Sequence, residues 1–361
     1  MLSIKVLVVD DSAFMRKVIS EIINEEPDLT VAATARNGED ALSKLMTLPV
    51  DVVTLDVEMP VLDGLATLEA IMEKHHLPVV MLSSLTKRSS DVTMKALALG
   101  AIDFVPKPSG SISLDLKNAA QEITEKIRAA HQAQVRKAPR RPASVPTEPI
   151  VVNPPKTAFK ARSLRTSTEL GASRIVVSIG SSTGGPRAVE EVFLRLPADL
   201  RAAVLVTQHM PKGFTKSFAE RLNNLSPLSV KEAQEGDSLR NGLAFIAPGD
   251  YHMVVGPDRR IHLNQNPPVQ YLRPAADVTM LSLPAIFGSK IIGVVLTGMG
   301  RDGAAGMAAI KASGGHTIAQ DKATSTIYSM PRVVFEEGHA DYVLPIDRVA
   351  EGIIKLVNTC L

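Results

Sequence analysis

IVVSIGSSTGGP, residues Ile175 to Pro186, changes character halfway along. Ile175, Val176, Val177 and Ile179 form an apolar run rich in β-branched side chains, which predicts a buried strand. Gly180 ends the run, two serines, a threonine and two glycines follow, and Pro186 suits the first turn of a helix. Within that turn Gly180-Ser181-Ser182-Thr183-Gly184 matches G-x-S-x-G, the elbow that lifts a serine hydroxyl out of a sheet. Backbone N–H groups at the start of the next helix can stabilise an oxyanion there. A phosphate-cradling loop obeys the same grammar, because glycines before a helix suit anions equally well. No Lys-Ser or Lys-Thr follows the glycines, so the loop is not a Walker A motif.

Outward from the elbow, strand and helix patterns alternate to the end of the chain. Strands are predicted at Ile175–Ile179, Ala203–Gln208, Leu243–Ala247, Ile291–Leu296, Thr317–Ala319 and Asp341–Leu344. Helices are predicted at Pro186–Leu196, Thr215–Asn224, Val278–Phe287, Ala304–Ser313, Met330–Glu337 and Arg348–Asn358. Ser229–Asn264 is β-like, with hairpin signals at Pro248-Gly249-Asp250 and Gly256-Pro257-Asp258. The pattern is a doubly wound α/β domain with a β-rich insertion. A nucleophilic Ser182 needs a base and an orienting acid at the same sheet edge. Of His209, His252, His262, His316 and His339, His209 closes the very next strand, whereas His252, His262 and His339 sit in turn-like contexts expected at the surface. Asp302 follows strand IIGVVLTGMG in a glycine-rich loop before a helix, where it serves either as an N-cap or as the triad acid. The order Ser, His, Asp differs from that of α/β-hydrolases.

Upstream, residues 126–172 separate this domain from another. From His131 the apolar periodicity stops, and Pro139, Pro142, Pro146, Pro149, Pro154 and Pro155 alternate with basic residues. Such a stretch reads as a flexible, Pro-rich basic linker; a basic arm gripping acidic lipid or nucleic acid would want more than Phe159 as an anchor.

Residues 1–125 again alternate strands (Lys5–Val9, Val31–Ala35, Val52–Asp56, Val79–Ser83, Ile102–Pro106) with helices, a last one near Ser113–Ala130. Five of each is the flavodoxin-like (βα)5 count, for which the strand order is 2-1-3-4-5. In that order Asp10, Asp11 and Asp56 meet at the switch point, and gathered carboxylates with room for water suit Mg²⁺. Ser83 and Lys107 close the next two strands, offering a hydroxyl and an ammonium to a transferring phosphoryl group. Asp56 is then the nucleophile that forms an acyl phosphate.

Composition sets the outer limits. The 361 residues allow two or three domains. Apolar content is 45% without a single Trp, so the cores are aliphatic. A net charge of +2 gives no argument for nucleic acid. The one cysteine, Cys360, rules out a disulfide framework and a Cys-based metal site and fits a reducing cytoplasm. No apolar run reaches membrane-span length, and Asp10-Asp11 sit where a signal peptide needs apolar residues.

Two resemblances attach to these motifs. LVVDDSAFMRK, VTLDVEMPVLDGL, PVVMLSS and GAIDFVPKP resemble the sequence blocks of bacterial response-regulator receiver domains. The likeness implies that Asp56 takes a phosphoryl group from a histidine kinase, in the manner of a two-component system. It further implies Mg²⁺ held by Asp10, Asp11 and Asp56 with the backbone carbonyl of Glu58, phosphate read by Ser83 and Lys107, and Phe104 at the aromatic switch position. Ser83 stands where threonine is commoner.

SIGSSTGGP, VTQHMPKGFTKSFAERL, AFIAPGDYHM, RPAADV and VLTGMGRDGAAGM are similar to the catalytic domain of the chemotaxis methylesterases, the CheB family. That likeness implies a catalytic domain over residues 173–361 that hydrolyses γ-methyl esters of glutamates on chemoreceptor cytoplasmic helices and deamidates selected receptor glutamines. Ser182 would be the nucleophile, His209 the base and Asp302 its orienting acid, with backbone N–H groups around Thr183 and Met299 as the oxyanion hole and no cofactor for the ester step. Ser181 and Arg301 replace the alanine and asparagine of other members. The expectation is a cytoplasmic monomer, without membrane insertion or nucleic acid, whose receiver covers the esterase cleft until phosphorylated. A response regulator with a DNA- or partner-binding output is the competing class, but RVAEGIIKLVN is mixed in charge and follows a strand-like DYVLP. Hydrolysis of another ester or amide also fits a triad.

Overall fold

The computed structural model describes residues 3–107, 113–133 and 171–361, and the side chains of 113–118 lie outside that description, as does the predicted linker between 134 and 170. The first half is a five-stranded parallel sheet of β1 Ile4–Val9, β2 Leu29–Ala35, β3 Val52–Asp56, β4 Val79–Ser83 and β5 Asp103–Pro106, in the order β2-β1-β3-β4-β5. Helices α1 Ala13–Asn24, α2 Gly38–Leu45, α3 Gly64–Lys74, α4 Lys87–Leu99 and α5 Ser113–Gln132 cover its two faces. Side chains of Ser12, Asn37, Asp63 and Thr86 cap the first four helices by accepting a backbone N–H of the first turn.

Helix α5 runs past residue 126, where the linker was expected to begin. Its apolar stripe explains the extension, because Ile123, Ile127 and Ala130 are buried beside Val6 and Val8 of β1. At the other end Ala172 bridges Arg240, so the second domain starts before 173.

The second half is built on seven parallel strands: β6 Val176–Ser181, β7 Ala203–Gln208, β8 Ser229–Glu232, β9 Leu243–Ile246, β12 Ile291–Val295, β13 His316–Gln320 and β14 Tyr342–Leu344. Their order is β14-β13-β12-β6-β7-β9-β8. Strand β6 is fully buried on both faces, as its Ile-Val run requires. It has β7 on one side and β12 on the other, so the strand order reverses at β6 and opens a crevice there.

The middle of this half departs from a simple insertion. β8 and β9 join the main sheet, and only β10 His252–Val255 and β11 Ile261–Asn264 form an antiparallel hairpin. Gly256-Pro257-Asp258 is that hairpin's turn, whereas Pro248-Gly249-Asp250 leads from one sheet to the other. A Cβ on Gly249 would lie 2.3 Å from the backbone nitrogen of Lys212, so the chain leaves the sheet pressed against a neighbouring loop. The helix expected over Val278–Phe287 is two, α8 Ala276–Leu281 and α9 Pro284–Phe287, because Pro284 has no N–H to continue the first. The remaining helices are α6 Gly185–Phe193, α7 Phe214–Leu225, α10 Ala304–Ala312, α11 Met330–Glu336 and α12 Ile346–Thr359. Among the described residues no helix is long and apolar enough to cross a membrane.

The halves touch through α4, which packs on α6 and α7. Phe104 of β5 lies against Phe214 of α7 with ring centroids 4.3 Å apart, both side chains fully buried. Beside them the Thr183 hydroxyl donates to Asp103 Oδ2 at 2.6 Å, and Lys87 pairs with Glu220 at the rim.

Candidate active site

Ser182 is the first residue beyond β6. Its N–H donates to Thr297 O at 3.1 Å, and its carbonyl accepts from Gly185 N at 2.7 Å, closing the elbow. Gly184 enters α6 at φ +75°, with Thr326 so near that any Cβ would collide. The loop after β12 crosses directly over the serine: a Cβ on Gly298 would sit 2.8 Å from Ser182 Cβ. The backbone N–H groups of Thr183 and Met299 have no acceptor among the described residues. Both adjoin the serine, one in the elbow and one in the loop above it.

His209 is the first residue beyond β7, and its backbone N–H donates to Ser181 O at 3.1 Å. Its Nε2 lies 2.7 Å from Asp302 Oδ2. Asp302 is fully buried and accepts three backbone N–H groups besides: Ala276 at 2.6 Å, Asp277 at 2.9 Å and Gly303 at 2.9 Å. Burial alone would raise its pKa; the His209 bond and these amides outweigh burial and hold the carboxyl below its ordinary value. Asp302 is not the N-cap of the helix that follows it, a place taken by Gly303; its carboxylate instead anchors the start of α8 and contacts the imidazole. A carboxylate on Nε2 places the proton there and leaves Nδ1 as the basic nitrogen. The Ser182 hydroxyl makes no hydrogen bond to the imidazole in this structure, though their backbones close neighbouring strands.

Two further side chains complete the arrangement, and neither was singled out by sequence. Asp277, in the first turn of α8, is buried and accepts Gly306 N at 2.8 Å, while Asp302 accepts the N–H groups of α8. Each carboxylate thus holds the start of the other's helix. Burial and the neighbouring Asp302 push the Asp277 pKa up. Gln208, the last residue of β7, binds three groups around the elbow. The stretches RPAADV and VTQHM carried both residues, but their pattern gives no hint of which strand ends adjoin.

Among the other histidines, His252 is buried at 1% exposure and not on the surface as expected, because β10 turns it inward beneath the Pro267 carbonyl. His262 is partly exposed between Glu235 and Asp258, and His339 is partly exposed near Glu337. None of these three contacts the serine or Asp302.

At the switch point of the first sheet Asp10, Asp11 and Asp56 place carboxylate oxygens within 4.8 Å of one another. The Lys107 ammonium lies 2.9 Å from Asp10 and 2.7 Å from Asp56. Three carboxylates against one ammonium leave negative charge uncompensated, and an all-oxygen set of this kind fits Mg²⁺. Burial first, and then Asp10, push the Asp56 carboxyl up to about 6 in spite of Lys107. The Glu58 side chain accepts from Ser89 at 3.0 Å, away from the acids, which leaves its backbone carbonyl as the group it can offer. Ser83 Oγ accepts from Thr93 at 2.8 Å.

A buried aspartate beside two further carboxylates and a lysine in one α/β domain, packed on a second that carries a serine elbow and a His-Asp pair, fits a response regulator with a hydrolase as its output. Residues 6–117 match the response regulator receiver domain family, and residues 177–353 match the CheB methylesterase family. The chain is 51% identical over 98% of its length to the protein-glutamate methylesterase/protein-glutamine glutaminase of Symbiobacterium thermophilum, covering 97% of that protein. It is 47% identical to the protein of the same name from Pyrococcus horikoshii, over 98% of this chain and 94% of that one. The solved catalytic domain of Thermotoga maritima CheB methylesterase is 44% identical, covering 50% of this chain and 98% of that one with a TM-score of 0.49. The chain belongs to the protein-glutamate methylesterase/protein-glutamine glutaminase family. Its receiver domain implies regulation by phosphorylation.

Proposed function

We propose that this chain demethylates glutamates on chemoreceptor cytoplasmic helices and deamidates selected receptor glutamines, as the adaptation enzyme of a chemotaxis two-component system. The supporting observation is the 2.7 Å His209–Asp302 contact at a strand end adjoining Ser182, beneath two unpaired backbone N–H groups. Ser182 Oγ attacks the ester carbonyl and passes its proton to His209 Nδ1. The oxyanion faces the Thr183 and Met299 amides. Collapse expels the methoxy group, which takes the proton from the imidazolium and leaves as methanol. Water, deprotonated by His209, then attacks the acyl-enzyme and regenerates Ser182 and a free glutamate. From a glutamine side chain the leaving group is ammonia. The reaction so written needs no cofactor.

Asp56 accepts the phosphoryl group of a histidine kinase. The carboxylates of Asp10, Asp11 and Asp56 with the Glu58 carbonyl would hold Mg²⁺, which when bound neutralises phosphoryl oxygens. Lys107 and Ser83 then read the phosphoryl group, and Lys107 lies just beyond β5, the strand whose other end grips the esterase through Asp103 and Phe104. Drawing Lys107 toward phosphate loosens that grip and shifts the population toward an open state. Ser182 is only partly covered in the closed arrangement, so closure excludes a bulky receptor helix more than a small ester.

Methanol release from methylated receptor membranes tests the reading. Activity should rise with a small phosphodonor and Mg²⁺. Deleting residues 1–165 should free the enzyme without a phosphodonor, and activity no higher than that of the unphosphorylated full-length protein would end the blocking model.

A further inference from the structure

The hydrogen-bond ladder between β6 and β7 ends at the pair Ser181–Gln208. Immediately beyond it the chains part, Ser182 into the elbow and His209 into the turn before α7, with one last backbone bond between them, His209 N–H to Ser181 O at 3.1 Å. There one buried amide adds a side-chain tie. Gln208 Nε2 donates to Ser182 O at 3.0 Å and to His209 O at 3.2 Å, so the two N–H groups of a single side chain hold both carbonyls.

The amide itself is held from behind. Its Oε1 accepts the Ser181 hydroxyl at 2.6 Å. Carbonyl oxygens only accept, so nitrogen must face Ser182 and His209, and the amide has one orientation. Gly185 supplies the room, for a Cβ there would lie 2.1 Å from Gln208 Oε1. Gln208 is 2% exposed and its donors and acceptor are all paired, as burial of an amide demands. Being buried beneath the elbow, it does not reach a bound ester.

We propose that Gln208 is a positioning residue that sets the distance between the Ser182 nucleophile and the His209 base, an assignment that rests on the triad reading above. Displacing reacting groups by about 1 Å costs as much as 10²-fold in rate. The amide therefore acts on proton transfer from Ser182 and leaves receptor binding alone.

The test uses full-length protein with a small phosphodonor and Mg²⁺, comparing wild type, Gln208→Met, Gln208→Asn and Ser182→Ala. Methionine matches the length without an N–H, and asparagine keeps an amide too short to reach both carbonyls. A serine-directed fluorophosphonate gives the number of reactive sites per chain and their labelling rate; methanol release gives kcat and KM. Both Gln208 variants should label to one site per chain, with labelling rate and kcat falling together by about 10- to 100-fold and KM within twofold. A purely structural glutamine would lower the number of reactive sites while each survivor kept its wild-type rate, and that result overturns the proposal. If Gln208→Met fails to fold, Gln208→Asn decides by the same criteria. A Ser182→Ala protein that still turned over would sink the triad itself; an inert Ser182→Ala beside fully active Gln208 variants would sink only the positioning role.

Discussion

Asp56 and Asp302 are buried almost equally, at 2% and 1% exposure, Asp56 as the last residue of β3 and Asp302 in the loop between β12 and α10. Yet one carboxyl is pushed up to about 6 and the other is held below its ordinary value. The difference lies in their neighbours. Asp302 meets an imidazole and three backbone N–H groups, a set that satisfies a carboxylate. Asp56 meets Lys107 and the Glu58 N–H but also Asp10, so charge gathered there is left partly unmatched. The proposed functions fit this division: a triad that holds one geometry through each turnover would be electrostatically satisfied, and a site that takes up a phosphoryl group and a cation would be left wanting them. Helix starts follow the same division. Side chains cap α1 to α4, while α6, α7 and α10 begin at glycines with positive φ and no side-chain cap from that position.

The most direct way to break this comparison is to remove the satisfied carboxylate. Asp302→Asn should lower methanol release about 10³- to 10⁴-fold, and Ser182→Ala at least about 10³-fold. Loss of Asp302 with turnover retained would show that the satisfied geometry is scaffolding. A smaller effect, of opposite sign, should come from the interface. Asp103→Ala removes a charged partner of Thr183, and a hydrogen bond to a charged group is worth about 1.5–3 kcal/mol. Unphosphorylated activity on receptor membranes should therefore rise roughly tenfold, while Asp56→Asn should stay low and ignore the phosphodonor. An Asp103→Ala protein with unchanged basal activity would remove β5 from the regulatory path.

Which parts of this were legible in sequence follows from the range of the interactions. Val52–Asp56, Val79–Ser83 and Ala203–Gln208 emerge as strands with the bounds expected, because an apolar run ending at a polar residue is a local signal. Asp10, Asp56, Ser83 and Lys107 needed only the five-stranded order to be placed together. Ser182, His209 and Asp302 could each be named as the group that follows a core strand. The position of β6 between β7 and β12 was not local information, and Gln208 and Asp277 depend on it. The same holds for the Asp103–Thr183 bond, which joins domains separated by the basic linker stretch. Elsewhere local rules fall short: the helical periodicity runs through Pro284 although the helix breaks there, and the turn signal at Pro248-Gly249-Asp250 marks a passage between sheets and not a hairpin.

The unmatched charge at Asp56 should also appear as a thermal effect. Mg²⁺ held by the folded acid cluster alone would stabilise the fold by mass action. The wild-type receiver transition should rise with Mg²⁺, and Asp56→Asn should rise far less. Without metal, Asp56→Asn should melt higher than wild type, by about 2–4 °C for each kcal/mol of repulsion removed. If chelator and Mg²⁺ leave both proteins alike, the acids are no cation site.

The smallest effect expected comes from acid, and it reads the sign of the Asp302 shift. A carboxyl held low in the fold contributes stability that is present above its unfolded value of about 3.8 and is lost as pH falls through the lower folded value. Melting temperature of the catalytic transition should therefore drop steeply below about pH 4 in wild type, and the drop should be shallower in Asp302→Asn, which has no proton to take up. Asp277→Asn supplies the contrast. Its carboxyl is pushed up, so the stability it contributes is present below the unfolded value and lost as pH rises through the folded one. Removing that charge should raise the melting temperature on the neutral side and leave the acid limb steep, because Asp302 remains to be protonated. Acid limbs of equal slope in wild type and Asp302→Asn would mean that the donors around Asp302 do not favour its charged form, and the contrast with Asp56 would lose its physical basis.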